Sequence, residues 1–369
     1  MKFIHTADVH LGRSFSGLGE KGDRLREALL DALERTVELA REEGVDFMVI
    51  AGDLFDSNEV TGRLVRRTLG ILRRAAPIPV LILPGTHDLL DEGSVYRRKE
   101  FREAENVKVF GIDAPTLRIG EATVHGRAND TKQGGVHPLS ELRPDPEARH
   151  NIAVVHASVE IEGKAGPGDY LVSPEEIASC GMDYVALGHW HARNDFSSGE
   201  TVAWYCGSPE PTKFGEEGAG CVLLVELSEG TPAVRPLPTG KYTWLVREFD
   251  LGSTPPGEAL ESEIRSHGGE DVLLRADIRG LLPKGVELDL EELGERLGEH
   301  FFHLEVRDAG MRLPLEEVEA LFPEGTVGAI YVSRLRGLIE EAKDEEERSL
   351  LEEALYLGAS YIAGELEVD

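Results

Sequence analysis

The stretch Lys2-Phe3-Ile4-His5-Thr6-Ala7-Asp8-Val9-His10 decides how this chain is read. Its first six residues have the length and character of a buried strand, and Asp8 and His10 stand where that strand runs out. The same pattern recurs along the chain. Phe47-Met48-Val49-Ile50-Ala51 ends at Gly52-Asp53, and Pro79-Val80-Leu81-Ile82-Leu83 runs into Pro84-Gly85-Thr86-His87-Asp88. Further on, Ile152-Ala153-Val154-Val155 ends at His156, and Tyr184-Val185-Ala186-Leu187 ends at Gly188-His189-Trp190-His191.

Between the first strands lie helical patterns. Residues 23–43 carry Leu25, Leu29, Leu33, Val37 and Leu39 near helical spacing, with Gly44 suited to the position just past a helix end. Residues 61–75 read as a second helix. This alternation predicts an α/β fold with substantially parallel strands. Strand-like runs at 107–112, 116–119, 122–126, 202–206 and 222–227 predict a second sheet packed on the first, with helices outside both. Pro236-Leu237-Pro238-Thr239-Gly240 marks a boundary. Beyond it, strands at 244–251, 272–278 and 302–306 with helices at 258–267 and 290–299 suggest a small α+β domain, and the chain turns helical from about residue 315.

Composition bounds the function. With 369 residues, 41% of them hydrophobic and 29% charged, the chain is long enough for a large core domain plus a smaller one. Its longest apolar runs are far shorter than a membrane span, and its three cysteines form no CxxC pair. The expected location is therefore the cytoplasm, with no membrane association. A formal charge of −30 argues against non-specific gripping of nucleic acid, although bound cations and local basic clusters act against that average. Arg97-Arg98-Lys99, close behind His87, is the expected phosphate-contact cluster.

Asp and His groups repeatedly placed at strand ends point to one site, because strand ends converge in α/β sheets while loops stay free to vary. Carboxylates mixed with imidazoles suit Mn²⁺, Fe or Zn²⁺, and a shared carboxylate holds two cations close enough to act on one phosphoryl group. Asp53, after the tight turn that Gly52 permits, is the expected bridge.

Asp8-x-His10, Gly52-Asp53-Leu54-Phe55-Asp56, Gly85-Thr86-His87-Asp88, His156 and Gly188-His189-Trp190-His191 resemble the calcineurin-like metallophosphoesterases. More narrowly, the opening Phe3 to Gly12, the run Tyr205-Cys206-Gly207-Ser208-Pro209 and Lys213-Phe214-Gly215-Glu216 are similar to the SbcD and Mre type DNA-repair nucleases. The resemblance implies a layered αββα sandwich with a smaller α+β capping domain and C-terminal helices. Its expected bounds are 1–235 for the nuclease domain, 241–312 for a capping, DNA-binding domain, and 313–369 for a helical segment that docks a partner. It implies a metal-dependent DNA exo- or endonuclease with two divalent ions, Mn²⁺ first. Asp8, His10, Asp53 and His191 would hold one ion; Asp53, position 86, His156 and His189 the other. His87 would protonate the leaving oxygen, with Asp88 fixing its tautomer. The implied partners are DNA and an SMC-like coiled-coil ATPase, with a homodimer as a further expectation. One ligand departs from the pattern: the family has Asn where this chain has Thr86, whose hydroxyl is a shorter and weaker donor. Two rival readings follow, an enzyme for a small phosphoester and a metal-poor scaffold subunit.

Overall fold

The computed structural model describes residues 1–113, 116–132, 137–161 and 169–363, so the last six residues of the expected docking segment lie outside the described residues. Contacts divide the chain into two compact units, Met1–Trp244 and Leu245–Asp369.

The first unit holds two six-stranded sheets. One runs in the order Ala233–Pro238, Cys221–Glu226, Lys2–Thr6, Phe47–Ala51, Val80–Leu83 and Val107–Val109. Its last four strands are parallel, and Cys221–Glu226 pairs antiparallel to the first of them. The other runs Asn194–Asp195, Val202–Tyr205, Tyr184–Gly188, His150–His156, Ala122–Gly126 and Thr116–Ile119, with four central parallel strands. The innermost parallel strands are buried along their whole length, as continuous apolar runs must be when both faces are covered.

The sheets meet face to face. Phe3, Phe47, Val49 and Leu81 of the first pack with Val124, Ile152, Val154 and Tyr184 of the second. Phe3 and Phe47 stack with ring centroids 4.8 Å apart, a geometry worth about 0.5–1.5 kcal/mol beyond burial. The helix Gly19–Glu42 packs on the strand Lys2–Thr6 outside the first sheet, burying Leu25, Leu29, Leu33 and Val37. Leu139 and Ile177, from the short helices Pro138–Glu141 and Pro174–Ser179, cover the outer face of the second sheet over Ala153, Val155 and Val185. This is the expected layered αββα arrangement, and it brings the ends of two sets of parallel strands to one edge.

The second unit is built on a three-stranded sheet of Thr243–Asp250, Gly269–Leu281 and Phe301–Arg312. The helices Glu258–Ser266 and Leu290–Leu297 supply Leu260, Ile264, Leu293 and Leu297 to its core. The helices Val327–Glu340 and Glu345–Ala363 form a separate apolar cluster around Val332, Ile339 and Leu355. Among the described residues no helix is long and apolar enough to cross a membrane.

Candidate metal centre

Each strand of the seam hands over its polar residues in the same way. Past Thr6 and Ala51 the two chain segments continue side by side: Asp8 N donates to Gly52 O, His10 N to Asp53 O and Leu11 N to Leu54 O. Following this path forces the backbone into unusual conformations. Among the described residues, the non-glycine residues with positive φ are Asp8, His10, Asp53 and His189. Such conformations cost on the order of 1–3 kcal/mol each and persist where surrounding structure over-determines them, typically at functional sites. All four are residues the sequence singled out.

Gly188 allows the sheets to close. A Cβ there would sit 1.7 Å from the Ala51 carbonyl oxygen of the opposite sheet. Gly52, at φ 97°, plays the matching part, because a Cβ on it would overlap the His156 ring.

The ligand-type atoms converge accordingly. Asp8, His10 and His191 form one cluster, Asp8, Asp53 and His156 a second, and His10, Asp53 and His87 a third, each with its atoms within 4.8 Å of one another. Asp53 Oδ2 lies 3.2 Å from His156 Nε2 and 3.8 Å from His10 Nε2, so its carboxylate stands between a histidine of each of the first two clusters. Thr86 Oγ1 is 3.4 Å from His156 Nε2, so position 86 does face the second cluster. His189 belongs to none of the three clusters; its ring lies edge-on to His156 and its backbone N–H donates to the Asp8 carboxylate.

The donor set fits divalent cations on one specific observation. His10 Nε2 and His191 Nε2 face each other 3.0 Å apart. The other nitrogen of each ring meets a carboxylate, Asp56 for His10 at 3.1 Å and Glu216 for His191 at 2.5 Å. With each Nδ1–H given to its carboxylate, two neutral rings point lone pairs at the same space, as first-row metals require. The carboxylates also shift the groups around them: burial opposes a charge on His191, but the Glu216 hydrogen bond raises it. Burial drives the Asp53 carboxyl up, but the neighbouring His156 and His10 hold it well below its ordinary range. Burial likewise opposes a charge on His156, yet the Asp53 carboxylate raises it to about 9. His189 is lowered to about 4, by burial first and by His156 second.

His87 lies at the exposed mouth of this cluster. Its backbone N–H donates to the Asp53 carboxylate at 2.9 Å, and its Nδ1 lies 3.1 Å from the Asp56 carbonyl. Asp88, expected to orient His87, does something else. Its buried carboxylate accepts from Gly85 N, Phe55 N and the Tyr96 hydroxyl, bracing the two loops against each other. Burial, with Asp53 adding to it, raises Asp88 to about 6. The partner that fixes the His87 tautomer is the Asp56 backbone.

The expected phosphate-contact cluster is also displaced. Arg97 donates to the carbonyls of Asp91 and Leu90, and Arg98 to that of Val60, so both guanidinium groups serve loop packing. Neither these two nor Lys99 lines the cleft of about 520 Å³ over the metal ligands; its cations are Arg13 and Lys213. Trp190 stacks on Tyr205, with ring centroids 5.0 Å apart. The functional residue that sequence reasoning missed is Glu216. Glu216 stands in a quoted motif, Lys213-Phe214-Gly215-Glu216, but nothing in that motif names His191 as its target.

Fold and site together define a metallophosphoesterase. The model of the calcineurin-like phosphoesterase family matches residues 1–193, more than half of the chain, and the chain belongs to that family. It is 27% identical over 243 residues to the uncharacterized metallophosphoesterase YhaO of Bacillus subtilis, covering 62% of this chain and 58% of the relative. It is 26% identical over 247 residues to the DNA double-strand break repair protein Mre11 of Sulfurisphaera tokodaii, covering 63% and 62%. With Mre11 of Aeropyrum pernix the identity is 29% over 271 residues, covering 68% and 64%. The chain thus matches less than two thirds of the length of these relatives. Among solved structures, TT1561 of Thermus thermophilus aligns with 64% of this chain and 98% of its own, at a TM-score of 0.42 and 16% identity.

Proposed function

We propose that this chain is a metal-dependent phosphodiesterase that cleaves DNA. The observation that carries the reading is the pair of imidazole lone pairs of His10 and His191, held face to face beside the Asp53 carboxylate. Asp8, His10, Asp53 and His191 would hold one divalent cation, and Asp53, Thr86, His156 and His189 a second. Mn²⁺ is the expected ion, with Fe or Zn²⁺ as alternatives. The chemistry such cations supply when bound is polarisation of phosphoryl oxygens and acidification of water near neutral pH.

The chain's own residues do the rest. Asp56 and Glu216 orient the two facing histidines, which raises ligand basicity and fixes the tautomers. The Asp56 carbonyl, accepting from His87 Nδ1, leaves His87 Nε2 as the nitrogen free to carry a proton to the leaving oxygen. Asp88 keeps the loop bearing His87 in register with the loop bearing Asp53.

DNA as substrate is supported by the two Mre11 relatives, whose named role is double-strand break repair. The same reading assigns the capping domain to DNA binding and the C-terminal helices to an SMC-like ATPase partner. Val327, Ile330 and Leu350 are exposed there. The net charge of −30 favours a second reading, a small phosphoester as substrate. Purified protein assayed with Mn²⁺, Fe²⁺ and Zn²⁺ against a chromogenic diester, single-stranded and double-stranded oligonucleotides separates the two. The proposal expects metal-dependent cleavage of an oligonucleotide that His87→Ala abolishes. Turnover of the small diester alone overturns it, and equal rates for His87→Ala and wild type remove catalysis from this site.

A further inference from the structure

We propose that Arg13 and Lys213 form a two-pronged phosphate clamp, which selects a strand with consecutive phosphates over an isolated phosphoester. The inference rests on the phosphodiesterase reading above and names what its cleft recognises.

The first observation is where charge faces solvent. The chain carries −30 overall, yet the acidic groups lining the cleft point inward. The Asp53 and Glu216 side chains are each only 2% exposed and are engaged with His156 and His191. Arg13 and Lys213 line the same cleft and remain accessible to solvent, Arg13 partly and Lys213 as an exposed residue. The open part of the cleft is therefore positive on a strongly negative molecule, a local field that attracts and orients a polyanion.

The second observation is how each cation is attached. Arg13 Nη1 lies 3.7 Å from Asp56 Oδ1, the carboxylate atom that meets His10 Nδ1. The Lys213 backbone N–H donates to Glu216 Oε2, and the other oxygen of that carboxylate meets His191 Nδ1. Arg13 through its side chain and Lys213 through its backbone are thus tied to the carboxylates that meet the two facing histidines. Arg13 comes from the loop after the strand Lys2–Thr6, and Lys213 from the loop after Val202–Tyr205 in the other sheet. They reach the one cleft from loops that follow strands of different sheets. A strand with a phosphate seated over His10 and His191 would share the cleft with both cations. The Lys213 ammonium forms no ion pair among the described residues, and the Arg13 fork has donors left beyond its contact with Asp56. A cleft of about 520 Å³ is in the range that seats a nucleotide-sized group.

The test uses the full chain with Mn²⁺, a labelled single-stranded oligonucleotide and a chromogenic phosphodiester, comparing wild type with Lys213→Gln and Arg13→Gln. For the oligonucleotide, KM should rise about tenfold for each substitution, in line with loss of one charge-assisted phosphate contact, while kcat changes far less. For the small diester, with a single phosphate, the rise should be smaller. The slope of log KM against log salt should fall by about 0.7 for each cation removed, the single-strand value per phosphate contact. Lys213 is exposed and keeps the test valid if Arg13→Gln disturbs the Asp56 loop. Oligonucleotide cleavage with unaltered KM and salt slope in both variants overturns the clamp and leaves the nuclease reading standing. Equal effects on both substrates also overturn it. Wild-type turnover of the small diester without any cleavage of the oligonucleotide instead overturns the nuclease reading itself.

Discussion

Glu216 Oε1 lies 2.5 Å from Nδ1 of His191, and the rest of the Glu216 carboxylate is tied to the backbone N–H groups of Thr212 and Lys213. Burial pushes this carboxyl up, but the His191 contact outweighs it and holds the group below its ordinary range. The side chain therefore acts as a fixed acceptor that presents His191 Nε2 to the cleft. Glu216→Ala should weaken Mn²⁺ binding by about 10–100-fold, the usual cost of losing a carboxylate behind a metal-binding histidine. Calorimetric titration with Mn²⁺ reads this directly. Unchanged affinity in a folded variant would remove Glu216 from the metal centre. Asp56→Ala should act in the same direction through His10, while the Asp56 carbonyl that holds His87 stays in place.

Thr86 Oγ1 faces His156 Nε2 at 3.4 Å, so position 86 presents a hydroxyl to the second cluster. A carboxamide reaches further than a hydroxyl and offers a better oxygen donor. Thr86→Asn should raise the Mn²⁺ content of protein dialysed against limiting metal, and lower the Mn²⁺ concentration that half-saturates activity. Metal analysis showing the same content in both proteins would mean that position 86 contributes no donor.

The candidate ligand residues were legible because a buried parallel strand must be apolar on both faces, so the first Asp or His after it marks the strand end. Contacts between such ends were not legible. Asp88 follows His87 in sequence, yet it turns inward to Gly85, Phe55 and Tyr96. Adjacency along a loop says little about which side chains meet. Glu216 reaches His191 across 25 residues, through a loop whose path is set by packing rather than by local pattern. Arg97-Arg98-Lys99 read as a basic patch because sequence shows charge but not the carbonyls that absorb it. The strand Phe301–Arg312 extends past its apolar portion for a similar reason. Pairing with Gly269–Leu281 carries Arg307 and Asp308 into the sheet without any hydrophobic signal.

Gly188 offers a stability test with an internal control. A Cβ there would overlap the Ala51 carbonyl of the opposite sheet. Overpacking of this kind costs typically about 1–3 kcal/mol, and the backbone target makes the upper end the expectation for Gly188→Ala. Gly70 lies exposed in the helix Gly62–Arg73, and a Cβ on it meets nothing within 4 Å. Gly70→Ala should stabilise by about 0.4–1 kcal/mol through helix propensity and unfolded-state entropy. Urea denaturation of both variants checks the pair; a Gly188→Ala protein no less stable than wild type would contradict the close approach of the sheets.

Glu210 predicts a pH dependence away from the metal ligands. Its side chain is buried and accepts from the backbone N–H groups of Lys241 and Tyr242. Burial raises its pKa from 4.5 to about 7, against the pull of those two hydrogen bonds. The folded state therefore binds more protons than the unfolded state between these two values. The stability this group contributes is fully present below about pH 4.5 and is lost as pH rises through about 7. The loss is on the order of 3 kcal/mol, since the interval from 4.5 to about 7 is worth about 1.36 kcal/mol per pH unit. Glu210→Gln cannot ionise, so its stability should fall less than that of wild type between about pH 5 and about pH 8. Urea melts of the two proteins at both values make the comparison. Parallel pH profiles would show that Glu210 is ionised in the folded protein throughout, with its two N–H donors outweighing burial.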